Sequence, residues 1–165
     1  MAAKRFVVIF VSRRNSLRSI LAQACLNHLD ADRFSAYSCG QPGFISDAIH
    51  PAAIGALRSA SIAVPLVQPH GWNDLARAGG HRANFIITLD EATQSAEPRW
   101  PGQPDSALWA LPDVAGLDDP EESARAAIQL LYMLRRRLEL LTSLPLREAD
   151  PAAIRSDVRD LAHMQ

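Results

Sequence analysis

The chain has 165 residues, 48% of them hydrophobic, with a formal net charge of −1 from 17 basic and 18 acidic side chains, which suits one core without requiring a second domain. Charges of both signs are scattered, so the basic footprint of a nucleic-acid binder is missing outside Arg13, Arg14 with Arg18, and Arg135-Arg136-Arg137, the latter read as a solvated helix face. No apolar run approaches the roughly 20 residues of a membrane span; the start of the chain mimics a secretory leader, but its apolar run is short and ends in Ser12-Arg13-Arg14, so two cysteines fit a cytoplasmic, disulfide-free protein.

In chain order, Phe6-Val7-Val8-Ile9-Phe10-Val11 is a continuous apolar run, mostly β-branched or aromatic, suited to a strand buried on both faces of a parallel sheet. The polar segment Ser12 to Ser19 then opens a helix to about Leu29, with a predicted stripe of Leu17, Ile20, Leu21, Ala24 and His28 and with Cys25 beside it as a small buried hydrophobe. After the polar break Asp30 to Arg33, Phe34 to Cys39 alternates as a second strand that ends at Gly40. His50-Pro51 opens a second helix with Ile54 and Leu57 inward; His70 to Ala76 reads as a short third helix stopped by Gly79-Gly80, and Asn84 to Leu89 as a third strand. A polar, proline-rich stretch runs to Asp105. Asp119-Pro120-Glu121-Glu122 starts a long helix to about Thr142, with Ala124, Ile128, Leu131, Leu134, Leu138 and Leu141 facing the core and Gln129, Arg135, Arg136 and Glu139 in water. Asp150-Pro151 repeats the cap before a last helix carrying Ile154, Val158 and Leu161. Buried strands alternating with helices predict an α/β fold of three layers, a parallel sheet with helices on both faces.

The functional weight falls on Ser12-Arg13-Arg14-Asn15-Ser16-Leu17-Arg18-Ser19. It lies beyond the carboxyl end of the first strand, where such sheets bind ligands. Unpaired N–H groups and the dipole at the following helix start favour an anion, and Arg18 can add a planar fork for phosphate-like oxygens. Arg13 and Arg14 add positive potential. An ordinary strand-to-helix turn capped by Ser12 or Asn15 is the plain alternative.

The spacing Asn15-x-x-Arg18-Ser19 behind a buried strand resembles the low-molecular-weight protein tyrosine phosphatases and the thioredoxin-coupled arsenate reductases of the same fold, whose loop reads Cys-x-x-Asn-x-x-Arg-Ser. The resemblance covers about Lys4 to Leu144 and implies a four-stranded parallel sheet of order 2-1-3-4. It makes 1–165 one phosphatase-like domain with 146–165 a C-terminal helical extension. It also matches the His50-Pro51 helix start, aligns Ser38-Cys39-Gly40 with the family's Ser-Ala-Gly corner, and places Asp113 on the general-acid aspartate, with Val114 where the following proline belongs. The nucleophilic cysteine is Ser12 here. The redox cysteines of the reductase branch are missing too, their positions matching Asp90 and Glu97.

A serine hydroxyl is not brought to its anion as a thiol is; it needs a positioned base, and the loop holds no histidine, lysine or carboxylate. The first reading is therefore an inactive relative that binds phosphate, sulfate or an arsenate-like anion, or a phosphorylated protein. The second is a residual phosphomonoester hydrolase with Ser12 or water as nucleophile, Arg18 as anion holder and Asp113 as acid. The third is a protein-interaction module that presents the loop arginines to an acidic or phosphorylated segment. A working arsenate reductase ranks last, since thiol exchange needs neighbouring cysteines. No cofactor, metal, nucleic acid or membrane is expected, and the five histidines are dispersed.

Overall fold

A computed structural model describes residues 5–77, 82–147 and 150–164. The predicted helix stop at Gly79-Gly80 lies outside the described residues. Strand β1 (Phe6–Ser12) pairs with β2 (Phe34–Gly40) on one side and β3 (Phe85–Thr88) on the other, and β4 (Asp105–Leu108) extends the sheet beyond β3. All pairings are parallel and the order is β2-β1-β3-β4, as the resemblance implies. Val8, Ile9, Phe10 and Val11 are fully buried, which is why this run carries no polar alternation.

Alternate residues of β1 serve two unequal layers. Val8 and Phe10 face the larger apolar cluster with helices α1 (Arg18–Leu29), α2 (Pro51–Ser59) and α5 (Pro120–Ser143). Ile9 and Val11 face a smaller one made by Cys39, Trp72, Leu75, Ala83 and Ile86, roofed by the four-residue helix α3 (Asn73–Ala76) and the half-buried Trp100. A second short helix, α4 (Glu91–Gln94), was not anticipated; Asp90 starts it by accepting the N–H of Thr93.

Packing corrects several predicted stripes. Residues 18–26 of α1 are buried all round, because it packs against both the sheet and α5, while His28 is exposed and Leu26 takes the inner place. On α2 the inner face is Ala52, Ala53, Ala56 and Leu57, with Ile54 only half-buried; small side chains let it approach its neighbours closely. The first turns of α5 bury Ser123, Ala127 and Leu130 and leave Ala124 exposed, one position off the predicted face, which then agrees from Leu131 onward. Arg137 is not solvated: it is buried and donates through Nε and Nη2 to the carbonyl of Met164 at 3.2 and 2.9 Å.

That contact belongs to the C-terminal segment, where helix α6 (Pro151–Asp160) buries Ile154 and Val158 and the turn after it buries Leu161. Trp109, fully buried just after β4, donates its indole N–H to the Val158 carbonyl at 3.0 Å. Arg155 pairs with Asp105 at 2.7 Å. The segment thereby covers the β4 edge, which an open sheet would otherwise leave unpaired.

Candidate active site

The loop from Ser12 to Arg18 owes its shape to one buried asparagine. Asn15 has φ of 52°, a left-handed conformation that asparagine adopts more readily than most residues. Its Nδ2 donates to Ser19 Oγ at 2.8 Å and Ser38 Oγ at 3.0 Å, and its Oδ1 accepts the His70 N–H at 3.0 Å. Ser38 passes its own proton on to Gln23 Oε1. Gly40 closes the floor: a Cβ there would lie 3.0 Å from both the Arg13 carbonyl and the Asn15 nitrogen, so the loop needs glycine beneath it.

The loop's carbonyls are turned away from its centre. Those of Arg13, Arg14 and Ser16 accept the N–H groups of Gln41, Ser46 and His50 at 3.0, 3.1 and 2.9 Å. In a trans peptide the N–H opposes the C=O, so the N–H groups of Arg14, Asn15 and Leu17 point to the other side. Among the described residues, no acceptor meets the N–H groups of residues 13–17. They stand at the N-terminus of α1, where the helix dipole adds positive potential.

Two carboxylates converge on this end of the sheet. Arg18 is buried and donates through Nη2 to Asp90 at 2.8 Å and through Nη1 to the carbonyls of Leu89 and Leu111 at 3.4 and 3.2 Å. Of its five N–H bonds, Nε–H and one on Nη2 keep no protein acceptor among the described residues. Burial pushes the Asp90 carboxyl upward, but the hydrogen bond and charge of Arg18, with the Thr93 N–H, outweigh it and hold it below the usual carboxylate range. Asp113 accepts from Arg14 Nη1 on both oxygens, at 3.1 and 2.9 Å, and its Oδ1 stands 3.7 Å from Arg18 Nη2. Arg13 instead stacks on Phe44, 4.3 Å from the ring centroid.

At the nucleophile's place, Ser12 Oγ is buried and shares one hydrogen bond, 2.7 Å, with Ser19 Oγ. Ser19 in turn accepts from Asn15. No imidazole, amine or carboxylate among the described residues bonds either hydroxyl. His50 is engaged elsewhere: its Nδ1 accepts the Ala52 N–H at 3.0 Å as the cap of α2, and burial, then the charge of Arg14, lower its pKa.

A family model described as low molecular weight phosphotyrosine protein phosphatase matches residues 7–108. The chain belongs to this family. Among solved structures, the tyrosine phosphatase AmsI of Erwinia amylovora is similar at TM-score 0.67 and 12% identity, over 87% of this chain and 95% of that one. An arsenate reductase in its phosphate-binding state is similar at TM-score 0.63 and 24% identity, over 82% and 95%. The thioredoxin-dependent arsenate reductase of Corynebacterium glutamicum is similar at TM-score 0.59 and 23% identity over 85% of this chain, which spans 65% of that protein's length. No curated protein matches the chain.

Within this phosphatase-family fold, Ser12, Arg14, Asn15, Arg18, Ser19 and Asp113 come together. Of the other loop residues in the anion-site prediction, Arg13 turns aside onto Phe44, and Leu17 packs into the core while Ser16 offers its carbonyl to His50. Sequence reasoning missed Asp90 as the partner of Arg18 and Ser38 and Gln23 as supports of Asn15. Asp90 and Ser38 lie at or just past the carboxyl ends of β3 and β2, and that placement is the signal that could have found them. The cysteines lie on opposite faces of the sheet, Cys25 in the larger cluster and Cys39 in the smaller. Burial raises both thiols, Cys25 to about 11.

Proposed function

We propose that this phosphatase-family chain binds a phosphate-like oxyanion, or the phosphoryl group of a phosphorylated ligand, in the Ser12–Ser19 loop without turning it over. The observation that carries the reading is the Ser12–Ser19–Asn15 chain of hydrogen bonds, which ends without a base. It supplies no route for the Ser12 proton, while the loop N–H groups and the two remaining Arg18 donors are suited to holding an anion. Thiol exchange between Cys25 and Cys39 is opposed by their burial on opposite faces of the sheet.

Arg18→Ala would orphan Asp90 and two carbonyls as well as the anion, so Arg18→Lys, which keeps charge but loses the fork, is the sharper variant. Calorimetric titration with inorganic phosphate should show binding by the unmodified protein and a loss of about 1.5–3 kcal/mol, roughly ten- to a hundredfold, in Arg18→Lys. Aryl phosphate turnover should stay at background, and Ser12→Cys should bring it above background by supplying a thiolate. Efficient turnover that Ser12→Ala abolishes would point instead to the residual hydrolase with Asp113 as its acid.

A further inference from the structure

Loop residues and acidic residues meet here in two pairs of different character. Asp90 is tied from two directions, by Arg18 at 2.8 Å and by the Thr93 N–H at 3.1 Å, and its side chain is only 12% exposed. The Asp113 carboxylate has one hydrogen-bond partner among the described residues, Arg14, and its side chain is 38% exposed. It rides on a two-residue crest, Pro112-Asp113, between the buried Leu111 and Val114. The Asp113 carboxylate can therefore leave without disturbing the core on either side of it.

The geometry of the departing group matters. Asp113 offers Arg14 two oxygens, at 2.9 and 3.1 Å, and brings one of them within 3.7 Å of Arg18. That is the placement an incoming oxyanion would take toward the same guanidinium groups. A carboxylate and a phosphate could not share it, since like charges at such range repel.

We infer that Asp113 is a built-in anion that occupies the arginine side of the loop, and that an oxyanion has to displace it from Arg14 to bind. This rests on the reading of the loop as an oxyanion site and adds how access to that site is controlled. With Asp113 in place, Arg14 and Arg18 each face a carboxylate and Arg13 lies on Phe44. Once Asp113 leaves, Arg14 is free for the ligand, while Asp90 stays on Arg18. The crest that moves is short, and one backbone hydrogen bond reports on it: the Gly116 N–H bonds the Asp113 carbonyl at 3.2 Å, while the Leu117 N–H is held by the carbonyl of the buried Val114 at 3.1 Å.

The test titrates inorganic phosphate by calorimetry at neutral pH and low salt into the unmodified chain and into Asp113→Asn, an isosteric change at an exposed position. Asp113→Asn should bind phosphate at least fivefold more tightly. Hydrogen exchange supplies a second readout: phosphate should speed exchange at the Gly116 amide of the unmodified chain, whereas in Asp113→Asn this amide should exchange fast from the start. Equal or weaker binding by Asp113→Asn, with measurable binding by the unmodified chain, overturns the displacement and leaves the oxyanion reading standing. Absence of phosphate binding in both proteins overturns the oxyanion reading and the displacement with it. Slower exchange at Gly116 on adding phosphate would also count against the displacement.

Discussion

The Ser12–Ser19 loop and the segment 110–117 face each other across the carboxyl ends of β1, β3 and β4, and they are held in opposite ways. The loop is fixed from behind by buried groups: Asn15 with its three hydrogen bonds, Gly40 beneath it, and three carbonyls drawn outward by neighbouring N–H groups. The segment 110–117 is fixed at its root, by Trp109 and by the Leu111 N–H on the Leu89 carbonyl at 3.1 Å, while its tip is held by an exposed ion pair. A shape fixed by buried hydrogen bonds does not adapt, whereas an exposed ion pair exchanges readily with other ions. On the proposed reading, the difference suits a rigid oxyanion loop under a carboxylate that can be displaced.

The comparison breaks most completely at the root of the segment. Trp109 is fully buried and joins β4 to α6 through its indole N–H. Trp109→Ala should lower stability by about 3–5 kcal/mol, the usual effect of emptying a large aromatic site, as read by urea unfolding. Trp109→Phe keeps most of the packing but loses the hydrogen bond and part of the ring volume, so it should fall well short of that. Equal losses would mean that the Val158 contact, and not the volume of the ring, holds α6 to the sheet.

Breaking the other side has a smaller effect. Asn15→Ala removes three buried hydrogen bonds and puts alanine at a φ of 52°, for an expected loss of about 2–3 kcal/mol. Asn15→Gly restores the backbone freedom but not the hydrogen bonds, so it should recover only the conformational part. Full recovery in glycine would show that backbone conformation alone shapes the loop.

Much of this architecture is legible in the sequence because burial writes itself into composition. The six apolar residues of β1, the Asp119-Pro120 and Asp150-Pro151 caps and the Ile154, Val158, Leu161 face all reappear in the structure. The loop pattern also points to its own residues, since Asn15 and Arg18 do work that few other side chains can do at those positions. What stays hidden depends on long-range meetings. Nothing local to Asp90 says that its partner is Arg18, and Arg14 meets Asp113 only because β1 and the exit of β4 end at the same edge of the sheet. The burial of Arg137 is hidden for the same reason, since its acceptor is the carbonyl of Met164.

The finest distinction between the two sides is in their response to acid. Asp90 and Glu97 both follow β3, yet their environments push them in opposite directions. For Asp90, burial raises the carboxyl but Arg18 and Thr93 more than offset it, so its folded pKa lies below that of the unfolded chain, about 3.9. Its ionised form therefore stabilises the fold above about pH 4, and that contribution is lost as pH falls through the depressed value. Glu97 is raised by burial, with only the Thr88 hydroxyl, at 2.8 Å, opposing it. Its contribution is complete below the unfolded value, about 4.3, and is lost as pH rises through its folded pKa. Asp90→Asn should thus be less stable than the unmodified chain at pH 7, with the gap closing on acidification. Glu97→Gln should be slightly more stable at pH 7, and that gain should vanish near pH 4. Unfolding midpoints from pH 3 to 8 measure both slopes; a gap for Asp90→Asn that is constant across the range would mean that Arg18 does not depend on the Asp90 charge.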